Sequence, residues 1–185
     1  LDTKFVEDII LGCVSPVMEQ GCNIAKTAAQ SAGYADTVAG AQVNRFCSSG
    51  LEAVNMLASY VMSGVLDLGI AGGVESMSRV PMGADGGSLS ADPAIAFPTY
   101  YVPQGISADL IATFKGYARR DLDAWALRSH HKAAQATQDN YLKNSLVPIY
   151  NEWGELLLDH DECIRAETSL ESLALLKPSF EKLGF

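Results

Sequence analysis

The apolar and polar positions along the first third of the chain fall into short blocks with two different periods. Ile9, Ile10, Leu11, Gly12, Cys13 and Val14 form one continuous apolar run, which predicts a buried strand stopped by Ser15-Pro16. Asn23 stands ahead of an alanine-rich stretch and predicts a capped helix over 24–32, closed by Gly33. Residues 35–40 read as a loop and 41–46 as a short extended segment. Beyond Gly50, apolar side chains recur at Leu51, Val54, Leu57, Ala58, Val61 and Met62, the spacing of a helix. Glu52 is the only carboxylate between Cys47 and Gly64, so this helix is predicted to be buried on most sides. Residues 67–71 give a second apolar strand, ending in Gly72-Gly73. Strand, helix, strand, helix, strand is the order of an α/β layer fold.

The texture changes at Ser78. Residues 79–105 are rich in Gly, Pro, Ser and Asp, too long for an ordinary connection, and loops of that kind are usually functional. Residues 106–114 and 122–141 read as helices, with Asp121 suited to the first turn of the second. The segments 146–150 and 156–158 flank a turn at 151–154 and predict a hairpin. In Thr168-Ser169-Leu170-Glu171, Thr168 as N-cap and Glu171 three residues on predict a capping box for a helix reaching Leu176, ended by Pro178.

Composition narrows the class. With 48% hydrophobic and 19% charged residues, the 185-residue chain suits a globular core rather than disorder. A net charge of −9 argues against nucleic-acid binding. Residues 1–114 carry −7 and residues 115–185 only −2, so cationic contacts to a phosphorylated ligand are expected in the second part. The cysteines at 13, 22, 47 and 163 include no C-x-x-C pair, which argues against a zinc or dithiol site. No apolar run approaches membrane-spanning length and no basic-then-apolar leader is present, so a cytoplasmic protein with reduced thiols, off the membrane, is expected.

Cys47 is the residue with the most chemistry in prospect. It falls where an extended segment gives way to the start of an apolar helix, and the free N–H groups there favour an anion. Helix N-termini can lower a cysteine pKa from its usual value of about 8.5, which would make the thiol a nucleophile. The alternative is a small hydrophobe in the core.

The segment N-R-F-C-S-S-G-L-E-A-V at 44–54 resembles the nucleophile segment of the thiolases, acyltransferases that cleave or form 3-oxoacyl-CoA. Four further segments agree in order and spacing: F-V-E-D-I-I-L-G at 5–12, G-G-V-E-S-M-S at 72–78, D-E-C-I-R at 161–165 and L-K-P-S-F at 176–180. The resemblance implies a layered α/β/α fold, with residues 1–77 part of the N-terminal core. Residues 78–185 would then belong to an inserted loop domain that holds coenzyme A. It implies Cys47 as nucleophile and Arg165, Ser172 and Phe180 as coenzyme A contacts, with acyl-CoA a substrate and no tightly bound cofactor. It also implies a homodimer paired through the strand at 42–46, or a homotetramer in which such dimers pair again.

Several family features are missing or altered. The Asn-Glu-Ala-Phe, Gly-His-Pro and Cys-x-Gly signatures, which carry the family's His base, second cysteine and oxyanion asparagine, do not occur here. The first strand of the fold has no counterpart either. The resemblance therefore implies an incomplete part, inactive alone, or a non-catalytic CoA-binding module of thiolase descent. His130 and His131 read as surface residues, His160 as a turn residue between two aspartates, and Cys13, Cys22 and Cys163 as structural. Where many thiolases have Tyr-His-Met-Gly, this chain has Val102-Pro103-Gln104-Gly105, which inclines the reading toward a degradative 3-oxoacyl-CoA thiolase. Glu75 and Ser76 are expected to be structural, the carboxylate holding a loop through backbone N–H groups.

Overall fold

The computed structural model of the protein describes residues 2–180. The chain divides into two compact units, Leu1–Phe97 and Pro98–Phe185. The change of texture at Ser78 falls inside the first of them.

In the first unit, strand β1 (Asp8–Gly12), helix α1 (Ile24–Ser31), strand β2 (Ala39–Val43), helix α2 (Ser49–Met62) and strand β3 (Gly69–Gly73) follow in the expected order. All strand pairs are parallel and the sheet order is β2-β1-β3, so the first strand lies in the middle. Ile10 faces Ala41 on one side and Ala71 on the other. Successive side chains of β1 point to opposite faces. Ile9 packs with Val6, Ala25, Ala29 and Val38 on the α1 side. Ile10 packs with Ala53, Leu57 and Leu66 on the α2 side. A strand buried on both faces is why the run at 9–11 shows no alternation. Asn23 caps α1 as expected, its side chain accepting the Lys26 N–H at 3.3 Å.

Two expectations need correcting here. The second strand begins two residues earlier than predicted and ends at Val43, leaving 44–46 as a turn. The helix after Gly50 is not buried on most sides. Ser49, Ala53 and Leu57 face the sheet, whereas Leu51 is 65% and Met62 87% exposed, and Val54, Ala58 and Val61 lie open as well. Apolar residues at helical spacing occupy both sides of α2, and only one side has a sheet beneath it. Within the loop that follows β3, two single turns of helix form, α3 (Ser88–Ala91) and α4 (Pro93–Ala96).

The second unit holds helices α5 (Gln104–Lys115) and α6 (Arg119–Gln138), the hairpin strands β4 (Ile149–Tyr150) and β5 (Leu156–Leu158), and helix α7 (Leu170–Ala174). Asp121 accepts the Ala118 N–H at 2.9 Å, fixing the start of α6 three residues before the predicted one. The hairpin is antiparallel as expected, its turn held by Asn151. The cap of α7 is Ser169 rather than Thr168, and its reciprocal partner is Ser172 rather than Glu171. Arg119 donates to the Leu173 and Leu176 carbonyls, which ties α7 to α6.

Candidate active site

In an open parallel sheet, a crevice forms outside the carboxyl ends of the strands where neighbouring connections run to opposite faces. β1 is such a place: its connection to β2 passes over one face and that from β2 to β3 over the other. The residues following all three strands meet there in a cleft of about 290 Å³, lined by Gly12, Val14, Phe46, Cys47, Ser49, Gly50, Gly73, Val74 and Glu75. Cys47 is exposed and immediately precedes Ser48, the cap residue of α2. The sequence expectation of an accessible cysteine at a helix start is met; the expectation that the helix itself is buried is not.

A tight turn delivers the sulfur. Phe46 adopts φ +48°, a left-handed conformation rare for a bulky side chain. The Ser49 hydroxyl accepts the Arg45 N–H at 2.8 Å and donates to the Phe46 carbonyl at 2.6 Å, closing the turn beneath Cys47. Arg45 also pairs with Glu52 at 3.0 Å across the exposed surface.

The far wall is organised by Glu75 and Gln20. Glu75 accepts the Val14 N–H, the Ser15 N–H at 3.3 Å and the Gln20 amide at 3.0 Å. Gln20 is buried and binds the Ser15 carbonyl and the Ser76 N–H too, stitching the loop after β1 to the loop after β3. The expected structural role of Glu75 is thus seen in its contacts. Gln20 carried no signal in the sequence, since the partners that give it its role, Glu75 and Ser76, lie 55 and 56 residues away.

Desolvation pushes the Glu75 carboxyl upward, but hydrogen bonds from Val14, Gln20, Ser15 and Cys13 outweigh it and hold the group below its ordinary value. A depressed carboxyl stabilises the fold above its unfolded pKa, and that contribution is lost as pH falls through the folded one. Glu75→Gln is therefore expected to flatten the fall in stability below pH 4.5. At neutral pH the cost should stay under about 1 kcal/mol, because Glu75 is exposed and solvent screens its charge. Urea midpoints of both proteins at neutral and acid pH check this; parallel curves would refute it. Cys13 behaves oppositely: burial first, and Glu75 next, raise its thiol pKa.

The sequence candidates for coenzyme A contacts lie in the second unit. Arg165 is exposed and, among the described residues, forms no ion pair, so neither Glu162 nor Glu167 engages it. Its backbone N–H bonds to His130 Nδ1 at 3.2 Å, while His131 Nε2 meets the Thr168 carbonyl at 3.3 Å. The two histidines anchor the segment carrying Arg165 to α6; His131 is exposed as expected, His130 half-buried. The Ser172 hydroxyl is spent on the α7 cap, donating to the Ser169 carbonyl at 2.9 Å. Phe180 is half-buried against Gly105, where an added Cβ would lie 2.4 Å from the ring. The structure thus brings Phe180 to the Val-Pro-Gln-Gly segment. His160 is exposed in its turn, and the hydrogen bond to Asp159 raises its pKa. Cys22 and Cys163 are exposed thiols rather than core residues.

A parallel layered sheet with its cysteine cleft at the strand ends defines an α/β protein with a candidate thiol nucleophile. The profile described as "Thiolase, N-terminal domain" matches residues 1–185, and the chain belongs to the thiolase family. It is 38% identical over 190 residues to the 3-ketoacyl-CoA thiolase of Bacillus subtilis, covering 97% of this chain and 49% of that protein. It is 40% identical over 187 residues to the enzyme of the same name from Aliivibrio fischeri, with 98% and 47% covered. The crystal structure of the dimeric peroxisomal thiolase of Saccharomyces cerevisiae superposes with a TM-score of 0.80 at 29% identity, covering 97% of this chain and 46% of the other. The chain spans about half the length of the curated relatives it matches.

Proposed function

We propose that this chain supplies the nucleophile of an acyl-CoA acyltransferase of thiolase type. The observation that carries the reading is the exposed Cys47 sulfur in a cleft at the strand ends, directly before α2. In thiolytic cleavage the Cys47 thiolate attacks the 3-oxo carbon of a 3-oxoacyl-CoA. The C2–C3 bond breaks, its electron pair leaves on C2 and takes up a proton, and acetyl-CoA departs. The acyl group stays on sulfur as a thioester, reactive enough for the thiol of a second coenzyme A to attack carbon and release Cys47. The backbone N–H of Cys47, just before α2, supplies one oxyanion donor in this reading. Coenzyme A is a substrate here, not a resident cofactor.

Arg165, Ser172 and Phe180 are the coenzyme A contacts in this reading. Arg165, without an ion pair among the described residues, offers a planar cation for adenine or phosphate, and Phe180 an apolar wall for pantetheine. The Ser172 hydroxyl reaches a ligand only through its remaining lone pair. Residues 1–77 form part of the N-terminal core and 78–185 the inserted domain. Pairing of two copies is supported by the dimeric relative; in this reading the copies meet through the 42–46 segment, and dimers can pair again into tetramers.

Incubation with acetyl-CoA, acid quenching and peptide mass mapping test the reading. Acetyl is expected on Cys47 and not on Cys22 or Cys163. Equal labelling of all three would sink it, and no adduct on a folded chain would favour a non-catalytic CoA-binding module. A second test separates ligand contact from stability. Gly105→Ala should shift the Phe180 ring, whose edge can move, while alanine suits the helix. The melting temperature should stay within about 2 °C while coenzyme A binding weakens about fivefold, roughly 1 kcal/mol. Unchanged affinity by calorimetry would count against Phe180 as a contact.

A further inference from the structure

We infer that Asn44 is a positioning residue for Cys47, an inference that rests on the acyl-transfer reading above. Ser49 closes the 45–49 turn upon itself, through Arg45 and Phe46 only. Asn44 reaches elsewhere. Its Oδ1 accepts the Phe46 N–H at 2.9 Å, and its Nδ2 donates to the Val14 carbonyl at 3.1 Å, thirty residues away. The same Val14 donates its N–H to Glu75, and Glu75 is held by the buried Gln20. Both backbone groups of Val14 are therefore committed to side chains, the N–H to Glu75 and the carbonyl to Asn44. The result is an unbroken series of bonds from Gln20 through Glu75, Val14 and Asn44 to the left-handed Phe46, one residue before the sulfur.

The consequence is geometric. Ser49, the buried first residue of α2, anchors the far end of the turn that carries Cys47, but its closure leaves the near end, just past Val43, untied to the loop after β1. The strand bond from Cys13 N–H to the Val43 carbonyl, at 2.9 Å, ends just before it. Asn44 is the side chain that fixes this near end, by tying the turn to a wall that is itself pinned. A left-handed aromatic residue persists only where its surroundings over-determine it, and Asn44 contributes one of those constraints from outside the turn. Its role is to set the place of the sulfur relative to Gly12 and Val14, not to touch substrate.

The test is the rate of carbamidomethylation of each cysteine by iodoacetamide in the native 185-residue chain, read by peptide mass mapping. Cys22 and Cys163 serve as exposed references, and the buried Cys13 as a reporter of the fold. Asn44→Ala removes both bonds. Asn44→Ser keeps a hydroxyl able to accept the Phe46 N–H in a local turn but cannot reach Val14. Both variants are expected to lower the Cys47 rate at least fivefold, with the Cys22 and Cys163 rates unchanged and Cys13 still protected. Where one variant loses Cys13 protection, the other decides. A smaller change in Cys47, a faster reaction, or loss of Cys13 protection in both variants overturns the inference, because each denies Asn44 a local role. Failure of the underlying reading shows separately: wild-type Cys47 would then react more slowly than both reference cysteines, and this inference would fall with it.

Discussion

Cys47→Ser is expected to abolish acetyl transfer from acetyl-CoA to this chain, lowering the rate of adduct formation by about a thousandfold or more. The serine oxygen would occupy nearly the same place before α2, so binding geometry is retained and the loss isolates the chemistry. A hydroxyl needs a strong base to become a nucleophile, and an oxygen ester hands its acyl group onward less readily than a thioester. No other thiol in the first unit can take over. Cys13, after the central strand, is 1% exposed, and its pKa is pushed up by burial and by Glu75. Cys22 is exposed, but it does not line the cleft. Mass mapping after acetyl-CoA treatment should show the adduct vanish in the variant. An adduct that persists on another cysteine, with the same yield, would show that Cys47 was never the acceptor.

Gly12→Ala should be the most damaging small change to the fold itself. A Cβ at this position would stand 2.4 Å from the Ser49 carbonyl carbon, 2.5 Å from the Gly50 nitrogen and 2.6 Å from the Ser49 oxygen. All three are backbone atoms, so no side-chain rotation relieves the overlap. The first turn of α2 would have to lift off the end of β1. Overpacking of this kind costs about 3 kcal/mol or more, equivalent to a fall of roughly 6–12 °C in melting temperature for a domain of this size. Because that turn follows Cys47 directly, acetyl transfer should drop alongside stability. Thermal unfolding followed by circular dichroism measures the first and mass mapping the second. A variant that melts with the wild type would mean that α2 does not approach β1 so closely.

How much of this was legible beforehand depended on where each residue's partners lie. Ile9, Ile10 and Leu11 announce a strand covered on both faces, and the two helices that cover it follow at once in the chain. Asn23 caps its helix through Lys26, three residues on, so the signal and its partner share one window. The Cys47 segment was readable because the motif itself places a cysteine before a helix. The exposure of α2 was not readable. Leu51, Val54, Ala58 and Val61 repeat at the same helical spacing as Ala53 and Leu57, and periodicity alone cannot say which row finds a sheet. The cap of α7 was misplaced by one residue because Thr168 and Ser169 offer the same hydroxyl; the backbone selected the second. Gln20 and Asn44 were silent as to role, since a buried amide and a turn amide acquire meaning only from Glu75 and Val14, which folding brings to them.

The open row on α2 also governs how the polypeptide behaves in a tube. Leu51, Val54, Ala58 and Val61 keep an aliphatic strip in contact with water, and such strips attract one another at short range. What holds copies apart is the charge of −9, whose reach shrinks from about 30 Å at 0.01 M ionic strength to about 3 Å at 1 M. Dilute buffer should therefore keep the chain dispersed, and concentrated electrolyte should drive it to cluster. The choice of salt during purification then decides whether the cysteine beside that strip stays open to a thioester or is lost inside an aggregate.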